Sequence, residues 1–211
     1  GSIAATNDIG NMSSSSARGT DDAVYYATSN SLVRLSSDGT RTAFRVPVKP
    51  HLFAGTGFLW NGRQTPPNTV ADGEILKLSY AGEVIARYAI DMVPIASDAA
   101  GNLWLRSITP EGDILGRLMP NGLLTRFGPI PSLGNSTCFP RMFGEMTFLS
   151  DGRVAMLDYY TNVANGTISP CFGVARPADS PNTITIVDPR LVPVLSIQSL
   201  DGPSRRRASR H

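Results

Sequence analysis

The strongest constraint on the fold is an internal repeat. Residues 50–60 and 94–104 have the same length, and a proline, a glycine, a leucine and a tryptophan coincide between them at an offset of 44 positions. After each tryptophan come a variable segment, an apolar stretch, a glycine turn and a second apolar stretch that ends in an aromatic residue. Repeats of about 40–50 residues that each form four antiparallel strands have the size of one β-propeller blade.

The second half of the repeat recurs three times in register, at residues 32–44, 75–88 and 114–127. Apolar and polar residues alternate there with period two, and Asp38-Gly39 or Asn121-Gly122 supplies a tight turn in which glycine adopts a positive φ. A fourth copy covers residues 148–157, 183–188 and 192–197, and its last segment predicts the fourth strand of that blade.

The predicted fold is therefore all-β, a β-propeller of about four four-stranded antiparallel blades within residues 21–202. Residues 1–20 form an N-terminal segment that either supplies a closing strand or stays loose, and residues 203–211 are expected to be a disordered basic tail. The propeller is a complete small ring, a part of a larger one, or one that a second copy completes, because open blades leave exposed strand edges. Trp60 and Trp104 are expected to pack between blades.

Composition and charge exclude several classes of protein. Glycine (20) and proline (16) are frequent and lysine occurs only at Lys49 and Lys77, which disfavours helical bundles. The sequence contains no run of 18 apolar residues and therefore predicts no membrane-spanning helix. The formal charge of +2 includes four arginines in the last seven residues. Without them the chain has 15 basic and 17 acidic side chains, and this slightly negative balance is not typical of a nucleic-acid-binding protein.

Cys138 and Cys171 are the only two cysteines, and His51 is the only histidine before the C-terminal residue. A zinc site needs more closely spaced ligands than these. The cysteines form either one disulfide that pins the long insert after residue 158 or two buried free thiols. The disulfide and three Asn-x-Ser/Thr sequons favour an exported protein, either secreted or periplasmic.

The pattern Pro-x-x-x…Gly-Asn-Leu-Trp…Ile-Leu-Gly-Arg-Leu-x-Pro-Asn-Gly-x-x-x-x-Phe at residues 94–127 resembles the repeat of the streptogramin B lyase family and of NHL-type propellers. The resemblance covers roughly residues 22–200. It implies a seven-bladed propeller with a magnesium ion and catalytic histidine and glutamate residues near the axis. The Pro-His pair of that family occurs once, as Pro50-His51, but no glutamate follows Trp60 or Trp104, so its catalytic residues are not matched.

His51, Arg141 and Glu145 are the candidate site residues. In a propeller the start of an inner strand lies near the axial opening, and these three could bind a polar or anionic small molecule there, or serve as catalytic groups if the protein is an enzyme. The alternatives are a half-exposed histidine and an ordinary surface ion pair. Tyr160 belongs to one of two adjacent tyrosine pairs, in which one ring is expected in the core and the other at the surface, where it suits carbohydrate or protein recognition.

A repeated acid-Gly-acid pattern suggests a weak metal site. Asp72 and Glu74 flank one glycine, and Glu111 and Asp113 flank another. Carboxylates two residues apart can chelate a divalent cation such as Ca²⁺ or Mg²⁺; the alternative is a pair of turns whose acids face water. No other cofactor is expected.

These features favour a non-catalytic binding or protein-interaction propeller of an exported protein, acting as a lectin-like, sensor or scaffold module. The expected partners are a small polar molecule, a carbohydrate, a protein or a second copy of the chain. The alternative is a lyase or hydrolase of the streptogramin-lyase type with its site near the propeller axis.

Overall fold

The fold was analysed in a computed structural model, which describes residues 16–28, 30–63, 73–109, 111–130, 141–160 and 183–200. At residues 108, 141–145, 158–160 and 183 it describes the backbone alone. Within these ranges the chain forms sixteen β-strands and no helix. The strands, in chain order, are β1 (Ser16–Arg18), β2 (Val24–Ala27), β3 (Ser31–Leu35), β4 (Arg41–Arg45), β5 (His51–Ala54), β6 (Leu59–Gly62), β7 (Glu74–Leu78), β8 (Val84–Ala89), β9 (Val93–Ser97), β10 (Leu103–Thr109), β11 (Gly112–Leu118), β12 (Leu123–Ile130), β13 (Arg141–Phe148), β14 (Val154–Tyr160), β15 (Thr183–Val187) and β16 (Val194–Ser199).

The strands form four antiparallel sheets arranged as the blades of a β-propeller. Blade one contains β1–β4, blade two β5–β8, blade three β9–β12 and blade four β13–β15, each in chain order. The first strands β1, β5, β9 and β13 are innermost and contact one another in that order. The all-β fold and the number of blades predicted from the sequence are confirmed.

The last strand is the exception to the predicted order. The sequence predicts residues 192–197 as the fourth strand of blade four, but β16 pairs with β12 and forms a fifth strand on blade three. The amide of Gly128 also donates a hydrogen bond of 3.0 Å to the carbonyl of Pro193. Alternating apolar residues specify that a segment is a strand but do not specify its partner, so the prediction of its place was wrong.

Three apolar clusters hold consecutive blades together. One joins blades one and two, the second joins blades two and three, and the third joins blades three and four. Trp60 is fully buried in the second cluster and Trp104 lies in the third. The predicted inter-blade role of both tryptophans is confirmed.

The connections between strands differ at the two ends of the blades. At one end, here called the turn end, seven connections have four or five residues each, at 19–23, 36–40, 55–58, 79–83, 98–102, 119–122 and 149–153. Gly39 shows why glycine is required there, because its φ is 85° and its amide closes the turn by donating to the carbonyl of Ser36. At the opposite end, here called the loop end, three connections are longer, at 63–73, 131–140 and 161–182.

Two further expectations concern the N-terminal half. Tyr25 and Tyr26 are both buried, so the prediction that one of them reaches the surface was wrong. Ser16–Arg18 forms the innermost strand of blade one. Residues 1–15 and 201–211 lie outside the described residues, and the predicted bounds of the N-terminal segment and the tail stay predictions.

Candidate functional site

Most of the residues that the sequence singled out lie at the loop end, on different blades. His51 begins β5 and Arg141 begins β13, while Tyr160 ends β14; all three positions lie at the loop end. Inner strands begin at this end because each one runs from it toward a tight turn. Loops held on a rigid β-scaffold are a common place for binding residues, so this end of the propeller is the candidate site.

His51 is half-buried at the start of the inner strand of blade two. Burial lowers the pKa of its imidazole below the ordinary value of 6.5, because desolvation disfavours the charged form. The ring is therefore neutral at pH 7 and can both donate and accept a hydrogen bond. This state suits recognition of a polar group better than attraction of an anion.

Arg141 and Tyr160 are brought together by the pairing of β13 with β14, since they stand directly opposite each other in the register. Glu145 falls within an irregularity of this pairing, between Phe143 and Met146, and is further along β13 toward the turn end. Blade three separates His51 on blade two from these residues on blade four. The structure therefore brings Arg141 and Tyr160 together, and places His51 and Glu145 apart from that pair.

Glu74, one of the predicted metal ligands, begins β7 at the loop end of blade two and is surrounded by cations. Arg87 donates a hydrogen bond of 3.0 Å to its carboxylate, and the Lys49 ammonium lies 3.6 Å from the other carboxylate oxygen. Lys49 also donates to the backbone carbonyl of Glu74 at 2.9 Å. Arg87 and Lys49 therefore already neutralise the carboxylate charge of Glu74 that would otherwise attract a metal ion.

Asn61 fixes the strand on which His51 lies. Its side chain is fully buried, donates to the carbonyls of Lys49 (2.7 Å) and His51 (3.0 Å), and accepts a hydrogen bond from the Lys49 amide (2.8 Å). These three bonds tie the start of β5 to β6. The position of His51 is thus set by a buried amide rather than by a mobile loop.

Asp113, a second predicted metal ligand, lies within β11 rather than in an open turn. It is fully buried and accepts hydrogen bonds from Nε (2.8 Å) and Nη2 of Arg106, which is also buried. A buried ion pair of this kind needs both partners, because either charge alone would be costly to desolvate. The pair occupies the loop-end part of the face that blade three turns toward blade four.

The remaining two predicted ligands, Glu111 and Asp72, belong to loop-end connections. Glu111 is exposed in the turn before β11, and Asp72 lies outside the described residues. Among the residues that the structure describes, no three His, Cys, Asp or Glu side chains are placed to hold a metal ion. Cys138 and Cys171 also lie outside those ranges, and their disulfide stays a prediction.

Lys49, Asn61 and Arg106 are structurally important residues that the sequence analysis missed. Asn61 and Arg106 each interrupt an apolar strand, and a polar side chain at a buried strand position needs a partner. That interruption is the signal that could have found them. No such signal marks Lys49, which lies in an irregular connection.

Comparison with known proteins places the chain in no family. No family model matches it, and no curated protein matches it significantly. Among solved structures, the extracellular domain of a hybrid two-component system from B. thetaiotaomicron is similar, with 11% identity and a TM-score of 0.32. The match covers 88% of this chain and 35% of that domain, so the chain spans about a third of the length of this neighbour. None of these comparisons supports the resemblance to the streptogramin B lyase and NHL-type repeats, and that resemblance stays a prediction from the sequence.

Within the described residues, no helix is long and apolar enough to cross a lipid bilayer.

Proposed function

We propose that this chain is a non-catalytic binding module of an exported protein, which holds a polar ligand such as a carbohydrate at the loop end of its blades. The observation that carries the proposal is the difference between the two ends. All three connections of ten or more residues join strands at the loop end, whereas the described connections that leave strands at the other end have four to six residues. Long loops clustered on one side of a rigid scaffold are typical of ligand-binding surfaces.

The chemistry of the described side chains at this end favours binding over catalysis. The carboxylates of Glu74 and Asp113 are both engaged with cations, and His51 is separated by a blade from Arg141. A general acid or base must reach the reacting proton within hydrogen-bond distance. His51, Arg141 and Tyr160 at the loop end are the proposed ligand contacts, with hydrogen bonds from the first two and stacking by the tyrosine. Glu145 lies further along β13 and is proposed as a contact only for a ligand that extends toward the turn end.

The test is binding of the purified chain to an array of neutral and acidic oligosaccharides, followed by calorimetry on the saccharides that bind. His51→Ala and Arg141→Ala at the loop end are compared with Arg153→Ala and Glu83→Ala at exposed positions of the turn end. We expect the loop-end variants to weaken binding at least about tenfold, the equivalent of about 1.4 kcal/mol, and the turn-end variants to leave it unchanged.

Two results would contradict the proposal. One is the absence of any bound saccharide across the array. The other is a loss of affinity in the turn-end variants with none in the loop-end variants. If a bound saccharide is instead cleaved during incubation, the alternative hypothesis of a lyase or hydrolase gains support. Cleavage that persists in His51→Ala would exclude this histidine as the catalytic group.

A further inference from the structure

The blades repeat a specific contact as well as a specific fold. In each of the first three blades an aromatic residue of the second strand stands opposite a cation of the third strand, and the aromatic packs in the cluster shared with the following blade. These pairs are Tyr25 with Arg34, Trp60 with Lys77, and Trp104 with Arg117. We call the side of a blade that carries this pair its forward face, and the opposite side its back face.

The forward face of blade four exposes three apolar side chains. The equivalent pair there is Ala155 opposite Ile186, and the next position toward the loop end is Leu157 opposite Ile184. Leu157 is 37% exposed, Ile186 53% and Ile184 69%. At the corresponding positions of blade three, Trp104 and Leu115 are buried in the cluster shared with blade four. The described part of the chain places no further blade against this face of blade four.

The back face of blade one is the complementary half. In blades two and three the back face presents two opposed leucines, Leu59 with Leu78 and Leu103 with Leu118, and all four are fully buried against the preceding blade. The equivalent pair in blade one is Val24 opposite Leu35. Val24 is 39% exposed and Leu35 is half-buried.

Only part of this back face is free to dock. Tyr26 and Val33, the next pair toward the loop end, are buried. The accessible part of the back face of blade one is therefore the half next to the turns, where Val24 lies. In a contact between the two faces, Val24 would pack against Ala155 and Ile186 of blade four. Exposed arginines at Arg41 and Arg45 of the outer strand provide a polar rim to this apolar centre.

We propose that the forward face of blade four binds the back face of blade one of a second copy, so that two chains close head to tail into one ring of eight blades. The contact continues the interface that the chain already repeats three times between its own blades. Propellers typically contain four to eight blades. Two chains of four blades give a ring of eight, which is within this range, whereas three chains would give twelve. A head-to-tail contact that closes gives a ring rather than a filament.

The test begins with the solution mass of the chain at about 100 μM by light scattering. The expected mass is twice the chain mass of 22.5 kDa. Ile186→Asp and Val24→Lys are each expected to give a monomer, because each places a charge in the centre of the contact. Ile85→Asp is the matched control, since Ile85 is 52% exposed on the outer strand of blade two, away from both faces.

Mixing the two monomeric variants is the decisive measurement. In a head-to-tail ring of one Ile186→Asp chain and one Val24→Lys chain, one interface is unchanged and the other pairs aspartate with lysine, so the dimer mass is expected to return. A monomeric native chain, a dimer that persists in Ile186→Asp, or mixed variants that stay monomeric would each overturn the proposal. Circular dichroism of each variant confirms that a β-fold is retained.

Discussion

Trp60 is the residue whose loss is expected to destabilise the propeller most clearly. Its side chain is fully buried between blades two and three, its ring packs edge-on against Phe58 at 5.0 Å, and its Nε1 donates to the carbonyl of Gly101 in the next blade at 2.9 Å. Replacing a buried tryptophan with alanine removes these contacts and leaves a cavity, at a cost of about 3–5 kcal/mol. Trp60→Phe keeps most of the ring contact but leaves the Gly101 carbonyl without its donor, at about 1–3 kcal/mol.

The assay is urea unfolding followed by tyrosine and tryptophan fluorescence, with a thermal melt in parallel. For a chain of this size a loss of about 3–5 kcal/mol lowers Tm by about 6–20 °C. Ile85→Ala on the exposed outer strand is the control and is expected to change the free energy of unfolding by less than about 0.5 kcal/mol. A cost below about 1 kcal/mol for Trp60→Ala would refute the view that inter-blade packing holds the fold together.

Three further outcomes are expected. Gly101→Ala should cost more than Gly39→Ala in urea unfolding: both glycines have a positive φ, but a Cβ at Gly101 would lie 2.9 Å from a backbone amide of blade two, whereas Gly39 faces open space. Asp113→Ala should lower the free energy of unfolding by about 3–5 kcal/mol, because it leaves Arg106 buried without its carboxylate. The lowered pKa of His51 means that the unfolded chain binds more protons than the folded chain near and below pH 6.5. The free energy of unfolding should therefore fall as the pH drops below about 6.5. His51→Gln should reduce this slope between about pH 5 and pH 7, and an unchanged slope would contradict the assignment.

The repeat made the fold predictable because its signals act locally. Glycine at the turns, alternation along the strands and a tryptophan at a fixed spacing each specify structure within one blade, and they agree with one another. The partner of β16 was not predictable in this way, because pairing with β12 joins segments about 70 residues apart. Hydrophobic alternation carries no information about which edge a strand will join.

The candidate site was predictable in its location but not in its contacts. A position at the start of an inner strand places His51 and Arg141 at the loop end once the blade order is known. The ion pair of Asp113 with Arg106 could not be read from the acid-Gly-acid spacing, because that spacing suggests two carboxylates at an open turn. The arginine lies seven residues earlier on a different strand, and only the register of β10 with β11 brings it near.

The chain repeats the interface between blades as well as the blade itself, and the face that blade four would contribute to a further interface differs from the other three. The Lys77 ammonium donates a hydrogen bond of 2.8 Å to the carbonyl of Pro120 in the following blade. It also lies 4.5 Å from the centre of the Phe58 ring, so one cation contacts an aromatic ring of its own blade and a carbonyl of the next. Ala155 and Ile186 can offer a second copy only aliphatic contact. The contact between chains is therefore expected to be weaker than those within a chain, and dilution should separate the ring into intact four-bladed arcs before any blade unfolds. Light scattering across a dilution series, with fluorescence recorded on the same samples, tests that order: unfolding that accompanies dissociation would show that an arc does not hold its fold alone.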